Sequence, residues 1–140
     1  MTDPEPILDE LRERLRDSTF HRSMGIEVID AVAGEVTLAV DVTSDQRNLQ
    51  GLVHGGVLAT LGDTAMGLAV RTAVEPGTGH VTIELGVHFV RPGQPGRLAA
   101  VGRVIRVGRR VAFAEADVLD ADGVLLARAS GTYAVARADD

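Results

Sequence analysis

The stretch Asn48-Leu-Gln-Gly51-Leu-Val-His54-Gly55-Gly56-Val57-Leu-Ala-Thr-Leu-Gly-Asp63-Thr-Ala-Met-Gly67-Leu-Ala-Val70 decides the fold. A polar, glycine-rich loop runs into a segment that is apolar at almost every position. From His54 to about Glu75 the spacing predicts one helix, stopped by Pro76-Gly77 and roughly 33 Å long at 1.5 Å per residue. Val57, Leu58, Leu61, Ala65, Met66, Leu68, Ala69, Val70 and Ala73 surround its axis, and a helix that is apolar on every side is buried on every side. One carboxylate, Asp63, sits in its middle. A charge in that setting is costly unless a partner or a task justifies it.

What wraps the helix is legible on either side of it. Residues 80–91, 97–107, 111–119 and 124–136 read as four strands, with Val81, Ile83, Leu85, Val87 and Phe89 in strict alternation. Gly108-Arg109-Arg110 and Asp120-Ala-Asp122-Gly123 join strands as hairpin connections. Upstream, Ile26 and Val28, then Val36, Leu38, Val40 and Val42, form a two-stranded hairpin about Gly34. Before it, Asp3-Pro4 caps an amphipathic helix over residues 4–17, with Ile7, Leu8, Leu11 and Leu15 on one face. Residues 18–25 read as a connector. The expectation is an α+β chain of one domain, 1–140, with its N-terminal helix within 1–18. A long central helix is wrapped by a curved antiparallel sheet.

Composition narrows the classes. The chain has 140 residues, a net charge of −6 and no cysteine. Thiolate chemistry and disulfides are therefore excluded, and nothing suggests general nucleic-acid affinity. No basic, apolar leader precedes residue 7, and Asp63 and Arg71 interrupt the longest apolar run, so a cytoplasmic protein without a membrane span is expected. No Gly-x-Ser-x-Gly elbow, phosphate-binding loop or metal-ligand spacing is present. No metal and no cofactor are expected.

Nine residues separate His54 from Asp63. On one helix that is about half a turn of rotation and roughly 13 Å of rise, so the two cannot form a dyad within one chain. Either they are unrelated, or a working site combines the loop of one subunit with Asp63 of another.

The pattern Asn48-x-x-Gly51-x-x-His54-Gly55-Gly56 with Asp63 nine residues after the histidine resembles hotdog-fold thioesterases, in particular PaaI-like acyl-CoA thioesterases. Val81-Thr82-Ile83-Glu84-Leu85, Phe89-Val90-Arg91-Pro92 and the Asp122-Gly123 turn support the resemblance, which covers nearly all the chain after the first helix. It implies hydrolysis of an acyl-CoA or aryl-CoA thioester at sites lying between the long helices of a homodimer, with dimers commonly pairing into a homotetramer. It implies that Asp63 acts on water or on the thioester carbonyl, and favours water. It implies that the Gly55 N–H polarises the carbonyl.

The residues fit those roles chemically. Free N–H groups at a helix start, aided by the helix dipole, can hold an oxyanion, and Gly55 and Gly56 let a substrate approach the backbone. Asn48 is placed to orient water or thioester, although asparagine also commonly forms turns. His54 reads as a brace for the loop. Thr82 matches a family position whose hydroxyl assists the acid, yet strand parity sets it opposite Val81, Ile83 and Leu85, so a local bulge or a two-sided environment is required. Between Leu85 and Ala114 lie six arginines and no acid. Arg91 with Arg109 or Arg110 are the candidates for the phosphates of coenzyme A. Two rivals remain at this level: a non-catalytic acyl-CoA binding module, and a hotdog enoyl-CoA hydratase, which would need an Asp close to His54.

Overall fold

A computed structural model describes residues 4–137. Helix α1 spans Pro4–Asp17 and a short α2 spans Thr19–Met24. Strands β1 (Glu27–Val32) and β2 (Glu35–Asp41) form the expected hairpin, and α3 runs Gly55–Ala73. Strands β3 (Gly79–Phe89), β4 (Arg97–Val107), β5 (Val111–Leu119) and β6 (Leu125–Ala136) follow. The strands make one six-stranded sheet in the order β1-β2-β4-β5-β6-β3, antiparallel throughout. Helix α3 packs on β2, β3, β4, β5 and β6, so the sheet wraps it as its apolar surface requires. Among the described residues no helix is long and apolar enough to cross a membrane.

The core forms where α3 meets the inward side chains of the strands. Leu61, Ala65, Met66, Ala69 and Val70 of the helix meet Leu38, Val40, Leu98, Ala100, Ala114, Ala116 and Val118 of the sheet. Each large aliphatic side chain buried this way stabilises the fold by about 1.5–3 kcal/mol. Helix and sheet come close at Gly102, where a Cβ would lie 2.4 Å from the backbone carbonyl of Ala65. Only glycine lets β4 cross there.

Three local expectations are corrected. Residues 18–25 are not a plain connector. Ser18 caps α2, and Gly25 ends it in the left-handed region at φ 76°, a conformation glycine adopts without strain. Helix α3 is not buried all round within one chain, because Gly56, Thr60, Asp63, Thr64 and Arg71 form a stripe that this chain only partly covers. The alternation in β3 does not define one face. Its pairing to β6 shifts between Thr82 and Glu84, so Ile83 is an extra residue. Such a bulge exchanges the faces on either side of it. Thr82 pairs with the buried Tyr133 while Leu85, Val87 and Phe89 pair with Gly131, Ala129 and Ala127. Val81 and Ile83 are left outside, 69% and 60% exposed. The Asp3 cap lies outside the described residues.

Candidate active site

Asp63 sits on the uncovered stripe of α3, half-buried, at the rim of a cavity of about 420 Å³. Neither neighbouring threonine holds it. Thr60 bonds back to the Gly56 carbonyl at 2.7 Å, and Thr64 meets the His21 ring at 3.2 Å. Two hydroxyls from the sheet reach Asp63 instead. Thr82 donates to Oδ1 at 2.9 Å and Tyr133 donates to the same oxygen at 2.8 Å. The Tyr133 hydroxyl also lies 3.1 Å from the Asp63 carbonyl oxygen. Because the β3 bulge puts Thr82 beside Tyr133, both donors converge on one carboxylate oxygen. No protein group among the described residues bonds to Oδ2.

The surroundings fix the protonation of the donors. Burial first, then the Asp63 charge, pushes the Tyr133 phenol well above its usual range, so it remains a donor. Burial also lowers the His21 imidazole against the pull of Asp63. His21 stands on α2 with its Nδ1 2.6 Å from the Ser18 hydroxyl, which fixes its ring beside Thr64. His80, on β3, lines the same cavity. Among the described residues no group of three or more His, Asp or Glu is placed to hold a metal.

The donor loop lies apart. Asn48 and His54 line a second cavity of about 570 Å³ together with Arg47, Leu49 and Gln50. The Asn48 side-chain oxygen accepts from the N–H groups of Gln50 and Leu52 at 2.9 and 3.0 Å, so it shapes the loop. His54 caps α3, its Nδ1 accepting from the Gly56 N–H at 2.8 Å. The Gly56 donor is thereby occupied. The Gly55 N–H is not, having no acceptor among the described residues, as expected for the first turn of a helix. Gly55 lies under the Phe89 ring, whose Cε1 is 3.3 Å from where a Cβ would be.

The basic zone is partly neutralised. Arg97 pairs with Glu27 and Asp41, and Arg103 with Asp117 and Glu115. Arg91, Arg109 and Arg110 are exposed and have no ion-pair partner among the described residues. They do not stand together. Arg91 follows β3 near the donor loop, while Arg109 and Arg110 turn between β4 and β5, close to the start of β3.

One chain thus brings together Asp63 and Thr82, and it leaves Asn48, His54 and Gly55 in a separate half-site. Sequence reasoning missed Tyr133, His21 and His80. Tyr133 had a readable signal: it is the single tyrosine, on the inward parity of the last strand with Ala129, Gly131 and Val135. The two histidines had none, because their placement depends on α2 and on the bulge.

Comparison with known proteins gives the family. The model of the thioesterase superfamily matches residues 50–127. A Halobacterium salinarum chain bearing an esterase name is 41% identical over 83% of each chain. Human acyl-coenzyme A thioesterase 13 is 29% identical over 87% of this chain and 91% of its own. The structure of the Escherichia coli PaaI protein superposes with a TM-score of 0.86 over 95% of both chains at 22% identity, a likeness of fold. With more than half its length matched and a long helix held in a six-stranded antiparallel sheet, this chain belongs to the thioesterase superfamily and has the hotdog fold.

Proposed function

We propose that the protein hydrolyses acyl-CoA thioesters to the free acid and coenzyme A, with Asp63 as general base. One observation carries the reading. Both hydroxyl donors are spent on Oδ1 of Asp63, which leaves Oδ2 without a partner among the described residues, on a side chain that lines the cavity and can take a proton from water. The water's oxygen then attacks the thioester carbon, the carbonyl oxygen becomes an oxyanion, and the C–S bond breaks to release the coenzyme A thiolate. The thiolate takes up the proton that Asp63 received from the water and leaves as the thiol, which returns Asp63 to its ionised form. The Gly55 N–H, unpaired at the positive end of α3, suits the oxyanion.

Those two groups lie on one helix, Asp63 eight residues beyond Gly55 and roughly 12 Å further along the axis, so the reading requires a second copy. Strand β3 provides the edge for it: 11 residues long, unpaired on one side, and carrying exposed Val81, Ile83 and Phe89. Such an edge is a template for pairing with another strand. A twofold axis across it sets two copies of β3 antiparallel, so the His80–Thr82 end of one strand faces Phe89 of the other. Gly55 rests under Phe89, so the partner's donor is delivered toward Asp63. The same reversal brings Arg109 and Arg110 of one copy to the end of the site where the partner's Arg91 lies. That groups cations for the phosphates of coenzyme A. Exposed Ile105 and Phe113 on the outer face of the sheet offer a surface for pairing dimers into a tetramer.

The test is release of free thiol from a panel of acyl-CoAs by the wild type and Asp63→Asn. The amide can still accept from Thr82 and Tyr133 but cannot act as a base. A fall of about 10²–10⁴ in kcat supports the reading. Binding without thiol release by the wild type makes the chain a binding module, and consumption of enoyl-CoA without thiol makes it a hydratase.

A further inference from the structure

The cavity beside Asp63 contains two features that general-base hydrolysis does not use. Gly67, one helical turn beyond Asp63, is buried in the middle of α3. Glycine is disfavoured in helix interiors, and packing usually explains its presence. Packing does explain Gly62, where a Cβ would come within 3.0 Å of the Ala129 methyl. It does not explain Gly67, where a Cβ would make ordinary contacts of 3.6 Å to Tyr133 and 3.8 Å to His80 Nε2. Alanine would fit. The volume that a longer side chain would take opens into the cavity.

The second feature is His80. Its half-buried ring lines the cavity, and neither nitrogen has a hydrogen-bond partner among the described residues. Of the other polar groups on the wall, His21 bonds with Ser18 and Thr64, and Thr82 and Tyr133 bond with Asp63, while the remaining one, Arg14, is exposed. Burial, Arg14 and Arg71 together hold His80 below the usual imidazole range against the pull of Asp63, so it is neutral at pH 7. A neutral imidazole offers one donor and one acceptor, and a hydroxyl group is the smallest complement to either. Leu15, Leu68 and Val81 supply the apolar wall around it.

We propose that this cavity is the acyl pocket, that Gly67 sets its depth, and that His80 selects hydroxyacyl thioesters over their unsubstituted counterparts. This assignment rests on the thioesterase reading above. An aliphatic chain lies along Leu15 and Leu68, and its hydroxyl meets the free edge of His80. A side chain at position 67 shortens the space available to the chain.

The experiment compares kcat/KM for acetyl-, hexanoyl-, 3-hydroxyhexanoyl- and 6-hydroxyhexanoyl-CoA in the wild type, His80→Phe, His80→Gln, Gly67→Ala and Gly67→Leu. The wild type should prefer one hydroxyhexanoyl substrate over hexanoyl by about tenfold, the worth of one well-made hydrogen bond. His80→Phe should bring that ratio to about one, and His80→Gln, which keeps a donor and an acceptor, should restore part of it. Gly67→Leu should lower the hexanoyl-to-acetyl ratio by about tenfold or more, and Gly67→Ala should lower it by less, as expected for filling a pocket by successive methylenes. Thiol release with equal rates for hexanoyl and both hydroxyhexanoyl substrates, or ratios unmoved by Gly67→Leu and His80→Phe, overturns the pocket assignment and leaves the thioesterase reading standing. No thiol release from any substrate removes both.

Discussion

Replacing Tyr133 with phenylalanine isolates the convergence of donors on Asp63. The ring remains packed against Met66 and Gly131, so the core keeps its shape. Only the hydroxyl at 2.8 Å from Oδ1 is lost. A hydrogen bond to a charged group contributes about 1.5–3 kcal/mol, which corresponds to about 10- to 150-fold if all of it orients the base. Thr82 still donates to the same oxygen at 2.9 Å, so the carboxylate does not swing free. The lower end of the range, about tenfold in kcat, is therefore expected. Thr82→Val should act in the same direction, and the double variant should lose more than either alone. The assay is thiol release, with thermal unfolding as a check of folding. Wild-type kcat in a folded Tyr133→Phe protein would refute the idea that the two hydroxyls set up Asp63.

Other consequences follow from the same geometry. Gly102→Ala should cost more than about 3 kcal/mol, an overpacking penalty at the upper end, because its methyl would overlap the Ala65 carbonyl; urea unfolding measures it. Ile83→Lys places a charge on the exposed edge of β3, and sedimentation should show dimers giving way to monomers as activity disappears. The folded state depresses the imidazoles of His21 and His80, mainly by burial, so the unfolded chain takes up protons first as pH falls. Stability should be fully present above about pH 6.5 and decline as pH drops toward the lower folded values. Thermal scans between pH 8 and 5 check this, and a melting temperature that rises on acidification would contradict it.

Much of the fold was legible because its signals are local. The apolar helix, the period-two strands and the turn residues each act within a few positions, and the boundaries of α3 and of the four late strands fall within about two residues of those expected, the usual uncertainty of helix ends. The site was legible only where one motif carried it. The Asn48 to Gly56 loop and Asp63 could be named, since a charge in an apolar helix stands out in sequence. Thr82 could be joined to Asp63 only through the resemblance and against strand parity, because a bulge at Ile83 leaves the alternation of apolar residues unbroken while exchanging the faces. Tyr133 and His80 reach the same cavity by cross-strand register, a long-range property that no sequence window contains. The open stripe on α3 is hidden for another reason: one sequence shows that a helix is apolar, not how many chains bury it.

The claim that each site is made from two chains has a direct test by complementation. Asp63→Asn removes the base. Gly55→Pro removes the N–H donor at a first helical position, where proline suits the backbone and the Phe89 ring must shift by a few tenths of an ångström. Each variant alone should be inactive. When the two are unfolded together and refolded as a mixture, half the dimers are mixed, and in each of these one site has both lesions and the other has none. Thiol release at about a quarter of the wild-type level is then expected from the twofold arrangement. A mixture no more active than its parents, with mixed dimers shown to be present, would contradict a site shared between chains.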